Sequence, residues 1–275
     1  MKLISGAARL AGVVGWPVAH SRSPYLHNFW LQRYGIDGAY VPLPVRPEDF
    51  STLIPALAKA GFAGVNVTLP HKQAALALCD QIDDSARRAG AVNTLVFTPH
   101  GIVGRNTDGD GFVAHLRQQG VDPLAGAALI LGAGGAARGI GAALQALGVA
   151  VTFTNRTLER AAQLTADIPP AKTLPWAQRA AALKDYALLV NTTSLGMVHQ
   201  PALEMSLANA TPNLVVADIV FNPLETPLLE AARACGLQAV DGLGMLLHQA
   251  VPGFAAWFGV TPQVDDDLYR TIAAC

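Results

Sequence analysis

The run Leu129-Ile130-Leu131-Gly132-Ala133-Gly134-Gly135-Ala136-Ala137 joins a short apolar strand to a glycine turn and the start of a helix. It satisfies G-x-G-x-x-A, the spacing that holds a pyrophosphate. Gly132 permits the tight turn, Gly134 lets main-chain N–H groups approach an anion, and the small Ala137 allows close helix–strand packing. The anion then sits at the positive end of the helix. The strand that follows ends in Asn155-Arg156-Thr157, with Arg160 a turn further on. A site for NAD ordinarily has Asp or Glu there, accepting from the ribose 2′-OH. No carboxylate stands at that point in this chain, and a guanidinium there pairs with a 2′-phosphate in a charge-assisted contact. The pattern points to NADP rather than NAD.

A second set of polar residues falls where loops should leave strand ends: Ser21 and Ser23; Asn66 and Thr68 with Lys72; Asn93; and Asn106 to Asp108. Ligands of open α/β sheets bind outside such ends. Singly, each has an ordinary explanation. Ser23 could cap the helix that starts at Pro24, Thr68 the helix after Pro70 and Asp108 its own helix, with Lys72 a solvated helix residue. Beside a nicotinamide they acquire a common purpose. Hydride reduction of a ketone leaves an alkoxide that needs a proton; Lys72 can supply it, with Asp108 holding and tuning the ammonium. The hydroxyls and amides suit a polyhydroxylated, anionic small molecule.

These groups need strands and helices to hold them, and the chain alternates the two. Strands are expected at 9–15, 39–45 and 63–67, helices at 23–34, 47–60 and 71–79, and a hairpin from 91–97 and 102–104. On the 47–60 helix, Phe50, Leu53, Leu57 and Ala60 form the expected apolar side. A helix at 108–119 is closed by Gly120. A second series follows: strand 127–131, helix 136–147, strand 149–154, then strands at 187–190, 214–219 and 238–240. An apolar helix at 242–258 should kink at Pro252. Such alternation predicts an α/β protein of parallel sheets covered by helices. Domain boundaries are expected near Arg105 and Asp241: 1–105 a substrate-binding and catalytic domain, 106–241 an NADP-binding domain, and 242–275 helices returning to the first.

Composition narrows the function classes. The chain has 275 residues, 51% hydrophobic and 14% charged, with a formal net charge of −1. That is enough apolar material for a sizeable core and too little charge for disorder. A nucleic-acid binder would show a basic excess or stripe; there is none. Cys79, Cys235 and Cys275 stand far apart with no CxxC or Cys/His cluster, so neither a metal site nor a disulfide framework is expected. No apolar run reaches a membrane span. The start, Met1 to Ile4, faintly resembles a leader, but Arg9 interrupts the apolar stretch. A soluble cytoplasmic protein with a small-molecule substrate, and no membrane or nucleic-acid partner, is expected.

An ordered set of motifs extends these readings. Gly15-Trp16-Pro17-Val18-Ala19-His20-Ser21-Arg22-Ser23-Pro24-Tyr25-Leu26-His27-Asn28 resembles the opening signature of the shikimate dehydrogenase family. So do 64–72 (GVNVTLPHK), 90–94 (GAVNT), 104–109 (GRNTDG), the 132–136 turn, 155–157 (NRT), 191–197 (NTTSLGM) and 242–249 (GLGMLLHQ). The match runs in order over nearly the whole chain. It implies a Rossmann-type NADP domain and reversible NADPH-dependent reduction of 3-dehydroshikimate in aromatic amino-acid biosynthesis. Carried over, Lys72 and Asp108 form the catalytic pair, and Ser21 and Ser23 bind the substrate carboxylate. Asn66, Thr68, Asn93, Asp108 and Gln249 meet ring hydroxyls or line the pocket. Gly132, Ala133, Gly134, Gly135 and Ala136 hold the pyrophosphate, and Asn155, Arg156, Thr157 and Arg160 the 2′-phosphate. Thr193, Met197, Ile219 and Gly242 lie along the cofactor. One position departs from the family, which usually has Tyr where this chain has Phe221; a hydrogen bond to the carboxylate is thereby lost, and a related activity on quinate stays open. A non-catalytic NADP(H) sensor is the alternative of another class, disfavoured by the intact Lys72 and Asp108. The resemblance leaves the oligomeric state open, a homodimer included.

Overall fold

A computed structural model describes residues 4–275; Met1 to Leu3, the first three residues of the leader-like start, lie outside the described residues. The chain forms two compact units, 1–107 with 249–275, and 108–248.

The first unit runs β1 (Arg9–Gly15), α1 (Ser23–Arg33), β2 (Gly38–Pro44), α2 (Phe50–Lys59), β3 (Phe62–Val67), α3 (Lys72–Ala77), β4 (Gln81–Ile82), α4 (Asp84–Ala89), β5 (Thr94–Thr98) and β6 (Gly101–Arg105). Its sheet has the order β2-β1-β3-β5-β6-β4. β1 pairs in parallel with β2 and β3, whereas β5 is antiparallel to both β3 and β6. The sheet is therefore mixed: the hairpin expected from 91–97 and 102–104 adds antiparallel pairs to the parallel β2-β1-β3 set. The link between Thr98 and Gly101 is a tight turn, too short for the crossover that parallel strands need. β4 and α4 carried no periodic signal. β4 has two residues, and the polar α4 is fixed by its ends: Asp83 accepts from Ala86 N–H, and Gly90 closes it at φ 59°. On α2 the buried stripe is Phe50 and Ile54, with Leu53 40% exposed. The phase inferred from Leu53 and Ala60 is thus rotated. A short 3-10 turn at Pro47–Asp49 replaces the expected first helical turn.

The second unit contains α5 (Asp108–Gln118), β7 (Ala128–Leu131), α6 (Gly135–Ala146), β8 (Val151–Thr154), α7 (Leu158–Asp167), β9 (Lys172–Thr173), β10 (Leu188–Asn191), β11 (Val215–Asp218), α8 (Pro227–Ala234) and β12 (Gln238–Val240). Every pairing in its sheet, β12-β11-β10-β7-β8-β9, is parallel. Successive strands step outward from β7 to β9, then return beside β7 at β10. The boundary between β7 and β10 is a topological switch point, where doubly wound sheets bind ligands. Gly141 packs α6 onto β8: a Cβ there would lie 2.3 Å from the Phe153 ring.

The helix α9 (Leu243–Phe258) passes from the second unit into the first, and α10 (Asp266–Ala273) completes the first. The return is anchored in the sheet of the first unit. Trp257 Nε1 donates to Leu95 O at 3.0 Å, in space that a Cβ at Gly64 would occupy at 2.1 Å. Arg33 on α1 pairs with Asp265 and Asp267, each at 2.7 Å. Among the described residues, no helix is long and apolar enough to cross a membrane.

Candidate active site

In the first unit the carboxyl end of β3 and the loops after β1, α4, and β6 carry the polar set. Asn66 and Asn93 are buried, 6% and 2% exposed. Burial obliges their amides to find partners, and main-chain atoms decide which way each one faces. The Asn93 carbonyl can only accept, so Asn66 turns Nδ2 toward it at 3.2 Å and toward Thr94 Oγ1 at 3.1 Å. Asn66 Oδ1 then accepts from the Tyr40 hydroxyl at 2.6 Å. The Thr107 N–H can only donate, so Asn93 turns Oδ1 toward it at 2.9 Å. Thr94 Oγ1 also donates to Asn93 Oδ1 at 2.9 Å, and Asn93 Nδ2 faces Thr107 Oγ1 at 3.1 Å and Gln249 Oε1 at 3.5 Å. Thr107 Oγ1 donates to Gln249 O at 2.8 Å. Asn106 donates separately to Ala91 O at 3.0 Å. Segments far apart in sequence thus share one polar network of fixed hydrogen-bond direction.

Ser21 and Ser23 stand at the entry of α1. Ser23 is the first helical residue, Arg22 takes the cap position, and no side chain caps the end. The capping role open to Ser23 is therefore not the one it has. Its N–H donates to Ser21 Oγ at 3.3 Å, and its side chain favours the charged form of the Tyr40 phenol. Thr68 likewise does not cap α3, whose cap position is His71 with no side-chain bond. The Thr68 N–H donates to Val14 O at 2.9 Å, tying the β3 end to β1. Lys72 opens α3, half-buried, in the first unit. Asp108, 7% exposed, opens α5 as the first residue of the second unit, directly after Thr107.

In the second unit the glycine turn follows β7. Gly132 adopts φ 114°, which favours glycine, and a Cβ there would lie 2.6 Å from Thr192 Oγ1. Around Gly134 and Gly135 nothing lies within 4 Å of an added Cβ, so the turn is an open cradle. Gly134 caps α6 without a side-chain bond, and Ala133 and Ala136 flank it. Those first N–H groups are what a phosphate would meet. At the end of β8, Asn155 Nδ2 donates to Thr157 O at 2.9 Å and shapes the loop. Arg156 and Arg160 are exposed, with no ion pair among the described residues. The residues present fit a dinucleotide bearing a 2′-phosphate.

The strands beyond the switch point add the other side. Thr193 donates through N–H and hydroxyl to Asn191 Oδ1 at 3.0 and 2.7 Å. Asn191 Nδ2 in turn donates to Asp218 Oδ1 at 2.9 Å. Ile219 follows Asp218, and a Cβ on Gly242 would lie 2.3 Å from Ile219 O, so only glycine fits against that turn. Met197, 44% exposed, and Phe221 lie on adjoining loops, joined by Val198 N–H donating to Asn222 O at 3.0 Å.

Four members of this constellation carried no signal of their own. Tyr40 and His27 lie on a strand and a helix that read as plain core, yet they stack at 4.0 Å beside Asn66. Burial holds the His27 imidazole down at about 3, against a weaker upward pull from Asn66, and pushes the Tyr40 phenol well above its usual range. Asp218 and Thr226 are the others. Burial raises the Asp218 carboxyl although Val220 N–H, the Thr226 hydroxyl and Asn191 all hold its charged form.

Comparison with known proteins covers these same segments. The substrate-binding domain model of shikimate dehydrogenase matches 13–95, the shikimate/quinate 5-dehydrogenase model 115–232, and the shikimate 5′-dehydrogenase C-terminal domain 242–266. A shikimate dehydrogenase (NADP+) of Acidiphilium cryptum is 66% identical over 272 residues, covering 99% of this chain and 98% of that protein. The protein of the same name from Paramagnetospirillum magneticum is 57% identical, covering 96% and 98%. Among solved structures, shikimate 5-dehydrogenase from Thermus thermophilus in complex with NADP(H) and shikimate superposes with a TM-score of 0.88 at 35% identity, covering 97% and 98%. A quinate dehydrogenase from Corynebacterium glutamicum in complex with NAD gives 0.90 at 30% identity, covering 98% and 99%. The motifs, the two α/β units with their Rossmann-type sheet, and these matches along the whole length agree: the chain belongs to the shikimate dehydrogenase family.

Proposed function

We propose that the chain catalyses the reversible NADPH-dependent reduction of 3-dehydroshikimate to shikimate, in the cytoplasm, as a step of aromatic amino-acid biosynthesis. The observation that carries this reading is the buried Asn66–Asn93–Thr107–Gln249 network, which offers direction-fixed amides to a ring bearing several hydroxyls. The names of the relatives support the same substrate and cofactor.

In this reading the second unit holds the cofactor and the first holds the substrate. Main-chain N–H groups of 132–136 take the pyrophosphate, and Arg156 and Arg160, with Asn155 and Thr157, take the 2′-phosphate. Thr193, Met197, Ile219 and Gly242 lie along the nicotinamide half. When bound, NADPH supplies a hydride to the carbonyl carbon. Lys72 gives a proton from its ammonium to the carbonyl oxygen, so ketone, hydride and proton balance to one alcohol. Asp108 supports the charged Lys72, which regains its proton from water. Ser21 and Ser23 hold the carboxylate; Asn66, Thr68, Asn93 and Gln249 hold the ring hydroxyls. With shikimate and NADP+, the protein should form NADPH and 3-dehydroshikimate one for one. No formation of either overturns the reading. A second reading, turnover of quinate, is favoured by one residue: Phe221 cannot donate where the family's usual Tyr would reach the carboxylate.

A further inference from the structure

Tyr40 sits on β2, 2% exposed, and belongs to none of the motifs that resemble the family. Its ring lies flat on His27, with an interplanar angle of 5°. Its hydroxyl donates at 2.6 Å to Oδ1 of Asn66, a residue assigned to substrate, and Ser23, also assigned to substrate, acts on the same phenol by lowering its pKa against burial. The Asn66 amide cannot reverse, because its Nδ2 faces the Asn93 carbonyl, which only accepts. Both Nδ2 hydrogens are committed, to Asn93 O and Thr94 Oγ1. What Asn66 has left to offer a ligand is acceptance at Oδ1, and the Tyr40 hydroxyl is the group that pins that oxygen.

We propose that Tyr40 is a positioning residue that sets substrate specificity. By pinning Asn66 Oδ1, it makes Asn66 an acceptor aligned on one ligand hydroxyl and poorly matched to a position without a donor. The inference rests on the functional reading above. Burial keeps the phenol protonated and His27 neutral, so the donor persists and no cation competes for the oxygen.

The test is a double-mutant cycle read with substrate analogues. Shikimate and its analogues, each with one ring hydroxyl other than the one oxidised replaced by hydrogen, are oxidised with NADP+ by wild type, Tyr40→Phe, Asn66→Ala and the double variant. In wild type, loss of one particular hydroxyl should cost about tenfold or more in kcat/KM. In Tyr40→Phe the penalty for that same hydroxyl should shrink, while the other penalties and the KM for NADP+ are unchanged. For shikimate itself KM should rise more than kcat falls. Asn66→Ala should lose the same discrimination, and adding Tyr40→Phe to it should change little more. A Tyr40→Phe variant that lowers kcat/KM by one factor for every analogue, or changes nothing, overturns the proposal. So does full additivity with Asn66→Ala. Should Tyr40→Phe fail to fold, Asn66→Ala alone decides: undiminished discrimination at every hydroxyl refutes the inference. Wild type that does not oxidise shikimate refutes the functional reading, and this inference with it.

Discussion

Replacing the buried Asp218 by Asn should stabilise the protein at neutral pH. Asp218 Oδ1 accepts from two donors that cannot reverse, the Val220 N–H at 3.0 Å and Asn191 Nδ2 at 2.9 Å. Oδ2 accepts from the Thr226 hydroxyl at 2.8 Å, and a hydroxyl can equally accept. In Asp218→Asn the remaining oxygen keeps both fixed donors, and the new Nδ2 donates to Thr226. The substitution therefore mimics the hydrogen bonding of protonated Asp218, in which Thr226 likewise accepts rather than donates, and adds one further Nδ2 hydrogen. Burial raises this carboxyl above its ordinary 3.8. A raised folded-state pKa gives stability that is present below the unfolded pKa and lost as pH rises through the folded value. Each unit of that rise costs about 1.4 kcal/mol once both forms are ionised, or roughly 2–4 °C in Tm for each kcal/mol in a chain of this size. Melting curves of wild type and variant between about pH 4 and 8 should nearly coincide at the acid end and separate in the variant's favour toward neutrality. Asp218→Ala, which strands the Asn191 and Val220 donors, should lose about 2–5 kcal/mol at every pH. A variant gap that does not change with pH, or an Asn variant as unstable as the Ala one, refutes the reasoning.

Three further outcomes are expected. Lys72→Ala should keep its fold and NADP affinity while turnover falls about two to four orders of magnitude; steady-state kinetics with retained kcat would remove Lys72 from proton transfer. Arg156→Ala should weaken NADPH by about 1.5–3 kcal/mol and leave NADH nearly unchanged; equal losses in a titration of both would assign Arg156 to packing. Phe221→Tyr should lower the shikimate KM by the worth of one charge-assisted bond, about 1.5–3 kcal/mol if well aligned. An unchanged KM with a lowered Tm would mean that the ring faces the core.

What was legible in the sequence was local. The glycine turn, the Asn155-Arg156-Thr157 end and the helix stops at Gly120 and Gly148 each rest on residues adjacent in the chain, with φ of 114° at Gly132, 72° at Gly120 and 93° at Gly148. Most strands of the second sheet were readable as apolar runs because a parallel sheet is buried on both faces. The loss came where meaning depends on a distant partner. Tyr40 reads as one more strand aromatic until its hydroxyl meets Asn66, 26 positions on. Asp218 reads as the one acid in an apolar strand until Asn191 and Thr226 close around it. The α2 phase failed because Leu and Ala are compatible with either face, and only the packed sheet selects Phe50 and Ile54. Asn66, Asn93 and Gln249 were singled out individually, but their shared hydrogen-bond direction is set by main-chain groups that no side-chain pattern encodes.

The most direct test is a four-way comparison of kcat/KM, shikimate and quinate each with NADP+ and NAD+, followed by cofactor absorbance. Shikimate with NADP+ should exceed every other combination by about tenfold or more, equivalent to at least 1.4 kcal/mol of discrimination. A preference for quinate, or equal use of NAD+, would contradict the assignment of this site to NADP-dependent shikimate oxidation.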